Sequence, residues 1–380
     1  MARLGDICSI NMGQSPDSST YNEECIGLPF FQGNADFGAL HPSVRIWCSK
    51  PVKIAKKDDI LISVRAPIGA LNIADTECCI GRGLAALTVN PAICEQKYLW
   101  YGLESKIEEL NSKGTGSTFK AISKGILHDT EIALPSMAKQ AQIAGTLDEV
   151  SHLITLRKRQ LDKLDELVKA RFVEMFGDPK YNDHDFPTAP MTDLCEIIDG
   201  DRGKNYPKQD EFSYNGHCLF LNAKNVTSLG FNFENCLFIT EEKDSVLHNG
   251  KLQRGDVVLT TRGTIGNLAF YTDDVPFEHV RINSGMVILR MNRHLISEIF
   301  FIEQFKIQLQ LIKEKIASGS AQPQLPISTM NQIEMVFPDK SLQRHFEKFV
   351  SNIGKQKLTI QQGLDKLEIL KKALMQQFFW

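Results

Sequence analysis

The segment LDKLDELVKARFVEMF, Leu161–Phe176, returns 203 residues later as LDKLEILKKALMQQFF, Leu364–Phe379. Self-similarity at this distance constrains the fold more than any local motif, because a duplicated stretch must be housed twice in comparable surroundings. Sliding the chain on itself extends the echo into a match of halves. DDILISVRAPIGAL (Asp58–Leu71) lies over GDVVLTTRGTIGNL (Gly255–Leu268) at an offset of 197, and GLAALTVN (Gly83–Asn90) over GMVILRMN (Gly285–Asn292) at 202. KGTGSTFKAIS (Lys113–Ser123) lies over ASGSAQPQLPIS (Ala317–Ser328) with one residue of slack, and IALP (Ile132–Pro135) over MVFP (Met335–Pro338) at 203. That drift is what loop insertions do to two copies of one fold.

Each half reads alike. Short apolar runs, ILISV and AALTV in one copy and VVLTT and MVILR in the other, are broken by Gly and Pro and predict strands. A helical stretch follows, 94–113 or 295–316, then a Gly/Ser loop and a short strand. A long helix comes last, with Ser136 or Asp339 as its expected N-cap. In the first long helix Ile143, Leu147, Val150, Ile154, Leu161, Leu164 and Val168 fall on a heptad seam. In the second, Phe346, Val350, Ile353, Ile360, Leu364, Leu367 and Leu374 do the same. Each seam has two basic interruptions (Arg157 and Arg171; Lys357 and Lys371), and the other copy carries no charge at any of them. Two such seams fit each other better than either fits itself, which predicts an intramolecular, antiparallel coiled coil. At 1.5 Å per residue each helix would run about 57 Å. The expected fold is α+β: two domains of mixed sheet plus helices, 1–138 and 179–338, with helical spacers 139–178 and 339–380 and a pseudo-two-fold between the halves.

Composition narrows the function. Hydrophobic residues at 42% and charged residues at 23% describe a soluble globular chain. No apolar run approaches the roughly 18–20 residues of a membrane span, and MARLGDICSI has no apolar core or cleavage site, so a cytoplasmic chain is expected. The nine cysteines are odd in number, form no C-x-x-C pair, and read as buried free thiols. His217-Cys218 has no second ligand pair at metal-site spacing, so no metal is expected. A net charge of −3 requires that any basic, phosphate-binding face be local. Catalytic motifs are missing. There is no G-x-x-x-x-G-K-[ST] loop. GRG at 81–83 and GTIG at 263–266 lack the helix and downstream acid of a dinucleotide site. NPAI at 90–93 lacks the second Pro and the aromatic of an amino-methyltransferase NPPY. PDK at 338–340 has no paired acids for a metal nuclease. No catalytic residue is assigned.

With DDILISVRAPIG and GDVVLTTRGTIG, the loops GTGS and SGSAQPQ, the strands IALPS and MVFPD and the LDKL helix ends in one duplicated order, the chain resembles the specificity subunits of type I restriction-modification systems. The resemblance covers essentially the whole chain. It implies that 1–138 and 179–338 are target-recognition domains, each reading one half of a bipartite site in double-stranded DNA. The spacers would set the gap and dock two methyltransferase subunits that use S-adenosylmethionine to methylate adenine. A translocase-nuclease subunit using ATP and Mg would join for cleavage. No cofactor is expected in this chain. The alternatives are a DNA-modifying enzyme with an unrecognised active site, or a coiled-coil scaffold that binds no DNA.

Two domains reading different half-sites should share residues that serve the fold or the phosphate backbone and differ where base edges are read. Arg65 and Arg262 are shared, each after a buried strand and before a turn glycine. An Arg there forks onto phosphate or a groove edge, or packs on its own carbonyls. The loops Phe30–Gly38 and Phe220–Gly230 differ, offering Gln32 and Asn34 against Asn222, Lys224 and Asn225. Earlier loops add Gln14 and Ser15 against Arg202 and Lys204. Asn and Gln match adenine's major-groove edge; Lys and Arg match guanine or phosphate. The Gly/Ser loops at 114–117 and 318–320 either aim backbone N–H groups at phosphate or serve as connector turns.

Overall fold

The computed structural model describes residues 1–115, 120–228, 230–317 and 324–380. The sequence's two Gly/Ser loops therefore fall largely outside the described residues. Two units emerge: Met1–Arg159 together with Gln361–Trp380, and Gln160–Ile360.

In the first unit a four-stranded antiparallel sheet runs in the order Cys8–Met12, Leu84–Val89, Ile60–Ser63, Leu71–Ile73. The run ILIS is apolar throughout because both faces of its sheet are covered. Ile60 and Ile62 point into a core shared with the helix Gln96–Ser105, while Leu61 points into a second core with Phe31 and Ile80. Strand pleating assigns alternate residues to opposite faces. A second sheet pairs Leu28–Phe31 in parallel with Cys78–Ile80.

The second unit repeats this plan. Its four-stranded sheet runs Cys195–Asp199, Met286–Met291, Val257–Thr260, Leu268–Phe270, and Cys218–Leu221 pairs in parallel with Val280–Ile282. Val257 and Leu259 face one core and Val258 the other. The helix Glu298–Ala317 follows, as Gln96–Ser105 does in the first unit.

The two long helices are Met137–Phe176 and Lys340–Phe379. In the first unit Ile143 and Leu147 of one share a core with Met375 and Phe379 of the other, and the Phe379 ring lies 5.0 Å from that of Tyr98. Lys158 pairs with Glu368 across the helices at 2.9 Å. In the second unit Phe172 and Phe176 meet Phe346 and Ile353; Phe176 lies 4.8 Å from Phe300, the counterpart of Tyr98. Of the seam residues, Ile143, Leu147, Val150, Val168, Phe346, Ile353 and Leu364 are buried. Ile154, Leu161, Leu164, Val350, Ile360, Leu367 and Leu374 are half-buried. Three of the four basic interruptions form ion pairs: Lys357 with Asp165 at 2.7 Å, Lys371 with Glu104 at 2.8 Å and Arg171 with Glu174 at 2.8 Å.

Each long helix is clipped to its domain by one buried glutamine. Gln140 accepts from the Glu95 N–H at 2.9 Å and donates to the carbonyls of Ile93 at 3.1 Å and Pro135 at 2.9 Å. Gln343 accepts from the Ser297 N–H at 2.9 Å and donates to Leu295 at 2.8 Å and Pro338 at 2.7 Å. Gln343→Leu strands a buried N–H and two carbonyls and should cost about 2–4 kcal/mol. Calorimetric unfolding checks this, with the exposed Arg344→Ala as the neutral reference. A loss no larger than the reference would show the clip to be idle.

Candidate nucleic-acid interface

The loops that leave the sheets converge on a glycine in each unit. A side chain at Gly13 would meet the Gly81 carbonyl at 2.1 Å, and one at Gly200 would meet the Asn283 carbonyl at 2.2 Å. Only glycine allows the turn after Cys8–Met12 or Cys195–Asp199 to lie against the loop that precedes Leu84–Val89 or Met286–Met291. In the first unit Gln14 N–H donates to the Ile80 carbonyl at 3.0 Å, Gly81 N–H to Phe31 at 2.8 Å, and Val64 N–H to Gly83 at 2.9 Å. This backbone lacing brings the tips of the 13–15, 32–36, 65 and 81–83 segments together.

The side chains are disposed as follows. Gln14 is exposed. Ser15 and Gln32 hydrogen-bond each other, the Gln32 amide donating to Ser15 Oγ at 2.9 Å. Asn34 is half-buried, beside a buried Asp36 that caps the Gln32 N–H at 2.8 Å and pairs with Arg45. Arg65 is exposed, makes no side-chain hydrogen bond or ion pair among the described residues, and bridges through its backbone to Ala121. Arg262 is likewise exposed and bridges to Gln324. The shared arginines thus occupy one position in one fold, and among the described residues neither side chain has a hydrogen-bond or ion-pair partner in its own domain.

In the second unit Arg202 pairs with Asp199 at 2.9 Å, while Lys204 and Lys224 are exposed without an ion-pair partner among the described residues. Asn222 is half-buried and caps its own loop, accepting from Lys224 N–H at 2.9 Å. Asn225 does not present a base-reading edge. It is 2% exposed; its amide donates to the Asn232 and Asn235 carbonyls and its oxygen accepts from Asn222 N–H. It occupies the place of Asp36, bracing the loop that carries Lys224.

Arg82 was passed over at the sequence level, where GRG was weighed only as a dinucleotide loop. It is exposed between two buried glycines, its N–H donates to Ser15 Oγ at 3.3 Å, and its counterpart is Ser284. The usable signal was the self-alignment, which sets an arginine against a serine at a loop tip.

No group of three or more His, Cys, Asp or Glu is placed to hold a metal among the described residues. Burial pushes the thiols of Cys8, Cys78, Cys195 and Cys218 up to about 12, so they stay protonated at neutral pH and are poor nucleophiles. Among the described residues no helix is long and apolar enough to cross a membrane.

Fold and loops define a class: an α+β recognition module written twice on one chain, each copy carrying a different set of polar tips. The type I restriction modification DNA specificity domain matches the chain twice, over residues 1–166 and 184–369, and the chain belongs to that family. A putative type I restriction enzyme MjaX specificity subunit of Methanocaldococcus jannaschii is 40% identical over 160 residues, 42% of this chain. That match spans only 38% of the relative's length. The type I restriction enzyme MjaIX specificity subunit of the same organism is 24% identical over 342 residues, covering 85% of this chain and 77% of the relative. A crystal structure of a type I restriction-modification S subunit from M. genitalium aligns over 100% of this chain and 95% of its own, with a TM-score of 0.53 at 18% identity. It shares the fold.

Proposed function

We propose that this chain is the non-catalytic DNA-recognition subunit of a type I restriction-modification complex. Each domain reads one half of a bipartite site, and the two long helices pair as an antiparallel coiled coil, with a pseudo-two-fold, that sets the gap between the halves. The observation that carries this reading is the pair of exposed arginines, Arg65 and Arg262, at one position in two copies of a fold whose neighbouring loop tips differ. Common residues grip the backbone. Divergent ones, Gln14, Ser15, Gln32 and Asn34 against Arg202, Lys204, Asn222 and Lys224, read bases. The domains are 1–138 and 179–338, the spacers 139–178 and 339–380. Opposite charges paired from one long helix to the other, Lys158 with Glu368 and Asp165 with Lys357, favour the antiparallel register. Two methyltransferase subunits carrying S-adenosylmethionine dock on the spacers, and a translocase-nuclease using ATP and Mg completes the complex. With a net charge of −3, the chain leaves much of the phosphate contact to those partners.

The test is a domain exchange. Replacing residues 1–135 with the corresponding domain of another specificity subunit, in the assembled methyltransferase complex, should change one half-site and leave the other half and the gap intact. Methylation mapping reads all three. A chimera that alters both halves would contradict the assignment.

A further inference from the structure

One loop tip of the first unit differs from its twin in the side chain it carries and not in its frame. Residues 81–83 and 283–285 fall at one position in the two copies. Their backbones are tied alike. Gly81 N–H donates to the Phe31 carbonyl at 2.8 Å, and Asn283 N–H to the Leu221 carbonyl at 3.1 Å. Val64 N–H donates to the Gly83 carbonyl and Thr261 N–H to the Gly285 carbonyl, each at 2.9 Å. The carbonyls of Gly81 and Asn283 are the ones that Gly13 and Gly200 abut. On this common frame stand Arg82 in one copy and Ser284 in the other.

Arg82 is exposed, and its guanidinium has no hydrogen-bond or ion-pair partner among the described residues. Asp36, the buried acid of the neighbouring loop, is already paired with Arg45. The backbone beneath the arginine is fixed on both sides. A side chain at Gly81 would meet Gln32 Oε1 at 2.6 Å, and one at Gly83 would meet the Gln32 carbonyl at 2.4 Å, so only glycines let the tip sit on Gln32. Arg82 N–H donates to Ser15 Oγ, which also accepts from the Gln32 amide. A merely solvated arginine needs no such seat. A rigid tip that presents a planar fork of donors is what recognition of a fixed pair of acceptors requires.

The twin decides which acceptors. Phosphates are the same at every base pair, so a phosphate contact should be kept in both copies, as the arginines at 65 and 262 are. Arg82 is not kept. In the major groove guanine alone presents two acceptors side by side, N7 and O6, and an arginine fork meets both. We propose that Arg82 is the guanine reader of the first domain, selecting one G·C pair in its half-site, and that Ser284 makes no such demand on the other half. The proposal rests on the functional reading above and adds to it one base and the residue that sets it.

For the test, the full-length chain is assembled with the methyltransferase subunit of its own system, and the complex methylates DNA in which both half-sites are randomised. Sequencing the methylated molecules gives the base preference at every position. Wild type should require guanine at one position of the first half-site. Arg82→Ala and Arg82→Ser should cut methylation of the wild-type site about 10- to 100-fold and level the four bases at that position alone. Arg82→Lys, which keeps the charge and loses the fork, should retain a weakened guanine preference. The second half-site and the gap should not change, and unchanged thermal melts establish that the variants fold. An equal loss on all sequences with every preference intact would make Arg82 a phosphate contact, and an unchanged profile would make it solvated surface. Either result overturns the guanine assignment and leaves the recognition reading standing. A wild-type complex with no base preference at any position removes the recognition reading and the guanine assignment together.

Discussion

Phe379→Ala should cost the first unit about 3–5 kcal/mol, and Phe176→Ala should do the same to the second. Both rings are buried and close cores that other stretches of chain begin: Phe379 lies against Tyr98, and Phe176 sits among Phe172, Phe300 and Phe346 at 4.9, 4.8 and 5.5 Å. Aromatic pairs add to area burial, so the second loss should be the larger. For units of this size such losses lower the melting temperature by about 10 °C. All three tryptophans, Trp47, Trp100 and Trp380, belong to the first unit, so their emission follows its unfolding alone. The tryptophan transition should fall in Phe379→Ala, while Phe176→Ala lowers the part of the circular-dichroism transition that tryptophan does not see. A tryptophan transition moved equally by both variants would show that the cores are not completed separately.

Asp244→Ala should be comparably damaging, about 3–5 kcal/mol, because it leaves the Arg281 guanidinium buried without its counter-charge. Both side chains are 5% exposed. Arg281 also donates to the Asn249 carbonyl at 2.7 Å and the Leu247 carbonyl at 3.0 Å, and Lys251 reaches the same carboxylate. The network pins the segment 241–250 to the strand Val280–Ile282. Burial pulls the Asp244 carboxyl upward, but hydrogen bonds from Lys251 and Arg281 outweigh it and hold the group below its ordinary range. A carboxyl depressed in the folded state contributes stability that is present above its unfolded pKa of roughly 4 and is lost as pH falls through the lower folded value. Melting curves from pH 7 down to pH 3 should therefore show a steep loss below about pH 4 in the second unit, and a flatter one in Asp244→Asn. Parallel pH profiles for the two proteins would remove Asp244 as the cause.

The duplication made much of the fold legible, since residues that must be buried in both copies, such as those of ILIS and VVLT, stay apolar while their neighbours drift. Strand alternation was not legible there, because both faces of the sheet are covered and the usual polar face is missing. Gln140 and Gln343 stand in polar helix starts where no period flags them; only their six hydrogen-bond partners, brought in by tertiary structure, give them meaning. Asn225 could not be told from a base reader, because an asparagine aimed outward and one bracing its own loop are written with the same letter. The same limit applies at Arg281, whose counterpart in the first unit is Cys79. One copy fills that site with an ion network and the other with thiols and Phe30.

The division of the chain has a consequence for its synthesis. The second unit is one continuous stretch, Gln160–Ile360, whereas the first needs Gln361–Trp380 to complete a core begun by Leu4 and Ile7. Domains usually fold in the order in which they leave the ribosome. Here one core is completed late: the Tyr98 ring meets Phe379, which is made only after the whole of the second unit. The second unit has no such dependence on sequence outside its own stretch, so during synthesis it is the earlier domain that carries the open edge.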